Sequence, residues 1–112
     1  MTMQYTKLFE PVALGLTAAT IFTVPSGAPS TLLRGAIVRI TNTTAASVAA
    51  TLYCVPVTGA NAPANNFFPG MSIGANSFVD VQVPQMKAGD FMQGFGGATG
   101  LNIQAIAGAY YS

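Results

Sequence analysis

Glycine and proline interrupt this chain so often that little room is left for a long helix: 12 glycines and 7 prolines are spread over 112 residues. Proline removes a backbone donor, and glycine raises the entropic cost of regular structure. Between these breaks no window holds apolar residues at i, i+3, i+4 and i+7 between plausible caps. Short runs rich in Val, Ile, Thr, Phe and Tyr recur instead, with turn clusters every ten residues or so, the pattern of a sandwich or barrel. A chain this long buries about two thirds of the surface it exposes when unfolded, and an apolar content of 51% lets that burial offset the ordering entropy. The reading is an all-β chain: a single antiparallel β-sandwich, jelly-roll or immunoglobulin-like, of about seven or eight strands. Residues 17–112 form the sandwich, and residues 1–16 are an N-terminal arm or edge segment.

The first strong strand runs from Thr17 to Val24 and ends at Pro25-Ser26-Gly27-Ala28-Pro29, where missing amide donors force a turn. Leu32 to Asn42 is extended, with Ala36, Val38 and Ile40 on one face and Ile37 and Arg39 on the other, so Arg39 points outward. Thr43-Thr44-Ala45-Ala46 reads as a hairpin connection into a strand over Ser47 to Val57, whose Val48, Ala50, Leu52 and Cys54 form an apolar stripe. Thr58 to Gly70 is the longest irregular connection. Ser72 to Val83 reads as one strand bent at Gly74-Ala75-Asn76, with Val79, Val81 and Val83 inward and Phe78, Asp80 and Gln82 outward. A turn at Lys87 to Asp90, a short strand from Asp90 to Phe95, a glycine-rich connection and a last strand from Leu101 to Tyr111 complete the chain. The predicted core contains Val38, Ile40, Leu52, Cys54, Val79, Val81 and Ile103. As the lone cysteine, Cys54 cannot form an internal disulfide and reads as an inert core thiol.

Charged residues are only 6% of the chain, against roughly 25% in ordinary soluble domains. A surface so poor in charge points to a covering partner. The basic residues Lys7, Arg34, Arg39 and Lys87 are scattered and make no stripe for phosphates, so nucleic acid is not an expected ligand. The uncharged stretch from Ile40 to Val79 is broken by Pro56, Pro63 and Pro69 and does not read as a membrane helix. The N-terminus lacks the pattern of a secretory signal, so synthesis in the cytoplasm is expected.

Enzymatic chemistry finds few candidates. The sequence has no histidine, which removes Ser/His/Asp triads, Cys/His dyads and most zinc or iron sites. Glu10, Asp80 and Asp90 are too dispersed for a glycosidase pair or a calcium loop. Glycines 94–100 lack the spacing and following helix of a nucleotide-binding loop. The expectation is a non-enzymatic chain with no cofactor and no metal.

The order Ala19-Thr20-Ile21-Phe22-Thr23-Val24-Pro25-Ser26-Gly27, Leu33-Arg34-Gly35, Ile40-Thr41-Asn42-Thr43, Leu52-Tyr53-Cys54-Val55-Pro56, Ser72-Ile73-Gly74-Ala75-Asn76 and Lys87-Ala88-Gly89-Asp90 resembles small β-sandwich virion proteins of tailed bacteriophages, of the capsid decoration or cement type. The likeness covers residues 17–107 and lies in order and spacing, since each piece alone is ordinary strand-and-turn grammar. It implies a non-enzymatic virion component on the outer capsid surface that binds the major capsid protein and bridges its subunits. A tail, neck or fibre component is the alternative. A cellular carbohydrate-binding sandwich ranks lowest, because the chain has no tryptophan.

Two further expectations concern contacts. A surface so poor in charge invites self-association, and the expected homo-oligomer is a trimer. Partner binding is assigned to the loop around Asn65, Asn66, Phe67 and Phe68 together with the N-terminal segment carrying Tyr5 and Lys7, while the sheet faces hold the fold. Two adjacent rings at a loop end cannot easily both turn inward, and an exposed aromatic is the commonest form of hot spot. The competing view is that both rings cap the end of the sandwich.

Overall fold

The computed structural model describes residues 3–4, 8–25 and 31–111; the turn expected over residues 26–29 lies outside the described residues. Within them the strands are β1 (Met3–Gln4), β2 (Val12–Ala13), β3 (Ala19–Thr23), β4 (Leu32–Asn42), β5 (Val48–Val55), β6 (Asn66–Ile73), β7 (Ser77–Gln82), β8 (Met86–Lys87), β9 (Phe91–Gly96) and β10 (Leu101–Tyr111), with a short 3-10 turn at Pro63–Asn65. They build two antiparallel sheets packed face to face. Sheet A has the order β1-β10-β4-β7, with β2 also on β10 and β8 also on β4; sheet B has the order β3-β9-β5-β6.

The pairings nest about the β5–β6 connection. β5 pairs β6 in sheet B, β4 pairs β7 in sheet A, β3 pairs β9 in sheet B, and β1 and β2 pair β10 in sheet A. One long antiparallel hairpin, rolled up so that successive pairs fall alternately into the two sheets, produces this order. That is the jelly-roll arrangement rather than the immunoglobulin one.

Two expected connections change accordingly. Thr43 to Ala46 is not a hairpin, because β4 lies in sheet A and β5 in sheet B. Residues 72–83 are not one bent strand: β6 ends at Ile73, Asn76 turns with φ of 52°, and β7 begins in the other sheet. Both are corners where the chain crosses between layers. The first 16 residues contribute β1 and β2 to the edge of sheet A, and Leu14 joins the core.

Alternation accounts for the strands. In β4, Ala36, Val38, Ile40 and Asn42 are buried while Ile37, Arg39 and Thr41 are half-exposed. The phase slips at Arg34-Gly35, both exposed, where β10 also shifts register. At this irregularity Gly108 adopts φ of +128°, and a Cβ there would stand 2.9 Å from the Ala36 Cα; only glycine satisfies both constraints. The core forms between the sheets. Val38, Ile40, Leu52, Val81 and Ile103 are buried in it, and Cys54 and Val79 pack against it half-buried.

At one corner a polar side chain is fully buried. Asn42 Nδ2 donates to the carbonyls of Ala46 (2.8 Å) and Ile73 (2.9 Å), and its Oδ1 accepts from the Thr44 amide (2.9 Å) and hydroxyl (2.7 Å). Asn42 belongs to sheet A and Ile73 to sheet B, so the amide binds the layers together. The Asn76 amide adds a bond to the Thr44 carbonyl (3.0 Å). We expect Asn42→Ala to lower the unfolding free energy by about 2 kcal/mol, since it leaves the buried Ile73 carbonyl unpaired, at a cost of ~1–3 kcal/mol, and frees part-buried groups of Thr44 and Ala46. Denaturant unfolding measures this; a loss within error of zero would show that the corner does not depend on the amide.

Candidate functional site

The residues assigned to partner binding are placed differently from expectation. Asn65 closes the 3-10 turn, its Oδ1 accepting from the Ala62 amide (3.0 Å) and its Nδ2 donating to the Ala60 carbonyl (3.1 Å). Asn66 opens β6 and its Oδ1 accepts from the Phe68 amide (3.1 Å). Both amides thus serve the local backbone. Phe67 and Phe68 lie on β6 rather than at a loop tip, and both rings pack half-buried against the core. The cause is a register shift: Leu52 pairs Phe68 while its neighbour Tyr53 pairs Asn66, leaving Phe67 as an extra residue. Such a bulge breaks strand alternation and lets adjacent side chains turn the same way. Tyr5 and Lys7 lie outside the described residues.

Charge is divided unequally between the sheets. Arg34, Arg39, Asp80 and Lys87 all sit on strands of sheet A, Asp90 sits in the turn between β8 and β9, and Glu10 precedes β2. The four strands of sheet B carry no charged residue. Asp90 is structural, its carboxylate accepting from the amides of Val57 (3.1 Å) and Lys87 (3.0 Å). Among the described residues no three His, Cys, Asp or Glu side chains converge where they could hold a metal ion, and no helix is long and apolar enough to cross a membrane.

The outer face of sheet A is polar and carries a closed ion pair. Arg39 bonds Asp80 through two nitrogens, at 2.8 and 3.1 Å, and its guanidinium lies 4.2 Å from the Phe78 ring centroid. These bonds hold the Arg39 pKa above its usual value and the Asp80 carboxyl below its own. Thr41, Asn102 and Gln104 line a shallow 250 Å³ depression beside the pair. Of the C-terminal tyrosines, Tyr110 is in the core and Tyr111 lies under Arg34, 5.8 Å from ring centroid to guanidinium carbon.

The outer face of sheet B is apolar and aromatic. Cross-strand pairing sets Thr51 beside Phe95, Tyr53 beside Gln93 and Val55 beside Phe91, all on the face away from the core residues Leu52 and Met92; Thr51 and Val55 are themselves buried, so Tyr53, Phe91, Gln93 and Phe95 supply the accessible part. The Tyr53 and Phe95 rings stack diagonally across two strands with centroids 6.4 Å apart. They and Phe91 remain half-exposed. The loop after β5 is tied to this face by a bond from Asn61 Nδ2 to Gln93 Oε1 (2.9 Å). Rings, amides and hydroxyls without charge form a surface that loses little on desolvation, the composition of an interface centre. Tyr53, Phe91 and Phe95 were not singled out from the sequence. The available signal was their odd-numbered spacing, opposite in phase to the core stripe of β5 and β9.

Compared with protein-family models, with curated proteins and with solved structures, the chain has no match.

Two outcomes follow from the titrating groups. Because the folded-state pKa of Asp80 is depressed, its contribution to stability is complete above the ordinary carboxylate value of 3.8 and is lost as pH falls through the folded value. The stability difference between the wild type and Asp80→Asn should therefore shrink toward acid; one that stays constant with pH would show that the ion pair adds nothing through charge. Burial, helped by the charge of Asp90, pushes the Cys54 thiol up to about 12, so the reactive thiolate is scarce at neutral pH. A thiol reagent should label the native protein far more slowly than the denatured chain, and equal rates would contradict this placement.

Proposed function

We propose that the chain is a non-enzymatic bacteriophage virion protein, a capsid decoration protein that binds the outer capsid surface and stabilises the shell by bridging major capsid subunits. The observation that carries this reading is the segregation of charge, which leaves sheet B with an uncharged aromatic outer face. The likeness of residues 17–107 to small phage virion sandwiches supports it, as does a jelly-roll order of a kind that recurs in viral capsid domains. The mechanism requires only contact area. Identical sites repeated over a shell give many weak contacts the strength of a few strong ones.

A second reading, a tail or fibre component that meets a host glycan, draws on one feature: the exposed amides of Asn61 and Gln93 beside the Tyr53 and Phe95 rings, which together offer stacking and hydroxyl recognition. Mass-spectrometric counting of copies per particle separates the two. Decoration predicts hundreds of copies, a tail part a few to dozens, and absence from particles contradicts both. For decoration, we expect Tyr53→Ala or Phe95→Ala to weaken binding to undecorated capsids by ~2 kcal/mol or more, roughly thirtyfold in Kd, with the melting temperature little changed. Unaltered affinity in both variants would place the contact on another surface.

A further inference from the structure

The edge strands of a sheet offer unpaired backbone N–H and C=O groups to any extended chain, and proteins usually blunt them with proline, charge or shortness. Three edges of this sandwich are blunted in that way. β1 and β2 are two residues each, with Pro11 just ahead of β2. β6 contains Pro69 and turns at Gly70 with φ of +55°. β7 carries Asp80, and Pro84 separates it from the two-residue β8. β3, the remaining edge, has neither charge nor proline within Ala19–Thr23, and its Ala19, Thr20 and Thr23 are exposed. Its one irregularity is a bulge at Ile21, toward β9, which leaves Ala19-Thr20 and Phe22-Thr23 paired on either side.

Beside this edge lies a cleft of 370 Å³ between β3 and the segment of β2, lined mainly by apolar residues such as Val12, Ala13, Ala19 and Ile21, with Thr20 and the carboxylate residue Glu10 also on its wall. Val12 and Leu16, at 46% and 58% exposure, add apolar surface next to it. Among the described residues β3 pairs only with β9 on one side, and an open ladder with a mainly apolar cleft alongside is the pattern of strand addition, in which main-chain bonds hold the incoming strand and the cleft accepts its side chains.

We propose that β3 pairs with β3 of a second copy, antiparallel and about a twofold axis. In an isologous contact each residue meets its own equivalent or a symmetry-related neighbour, so any charge on the strand meets a like charge. β3 is free of that penalty, whereas β7 would bring two Asp80 residues together. A threefold ring, the assembly expected from composition, requires β3 to meet a different edge, and each of those is blunted. Pairing through β3 joins the two B sheets into one eight-stranded sheet, with the uncharged outer face continuous across the pair. The inference stands whether or not the protein is a virion component.

Sedimentation velocity on the full chain tests it. The wild type should sediment at twice the chain mass. Thr20→Lys, a change at an exposed position, should fall to the mass of one chain with its melting temperature retained, and an equimolar mixture of Thr20→Lys with Thr20→Asp should recover the doubled mass. Amide exchange across Ala19–Thr23 should slow as the wild type is concentrated. A wild type of one or three chains, a Thr20→Lys variant that stays paired, or exchange in β3 that ignores concentration would overturn the proposal.

Discussion

A single buried amide couples the two layers of this protein. Asn42 donates to two carbonyls and accepts from two donors, the four groups being contributed by the β4–β5 corner and the end of β6. In a low-dielectric interior an amide so satisfied is stabilising, and one left half-satisfied is costly. The rolled topology depends on such a device, because apolar burial has no direction and would reward many ways of stacking two sheets. The corner fixes where the chain leaves one layer for the other, and with that the register of β4 against β7 and of β5 against β6.

Once the layers are set, the sequence distributes charge between them. Sheet A holds Arg39, Asp80, Arg34 and Lys87, and its best-formed ion pair is closed on itself above Phe78. Sheet B holds none, and its outward residues are rings, an amide, hydroxyls and aliphatic side chains such as Val55. Exposed ion pairs contribute little to stability, so the value of this division lies in what each face can meet. A partner pressed on sheet B desolvates no charge, while one pressed on sheet A must displace water from several.

Much of the fold was legible in the sequence. β4 was read at its full length because its apolar alternation runs over many residues, and β10 was too, although its alternation holds only over its first residues. The corners were not, since alternation along a strand does not say which sheet the strand joins. Thr43 to Ala46 has the composition of a hairpin turn, and its meaning depends on Ile73, 31 residues from Asn42. The Phe67-Phe68 pair was misplaced for a similar reason: one inserted residue sets two rings on the same side, and bulges leave no local mark in a loop-like composition. The uncharged sheet left a trace in the sequence that was used only against a membrane helix. The uncharged stretch from Ile40 to Val79 contains the whole of β5 and β6, half of the strands that make the neutral sheet.

Under the proposed function, the outer side of sheet B is the face that meets the partner. Hydroxyl-radical footprinting of the free protein and of intact particles that carry it reads both faces in one measurement. Tyr53, Phe91 and Phe95 should become protected on the particle while Phe78, beneath Arg39 on sheet A, is oxidised as in the free protein. Protection of Phe78 with Tyr53, Phe91 and Phe95 unchanged would contradict it.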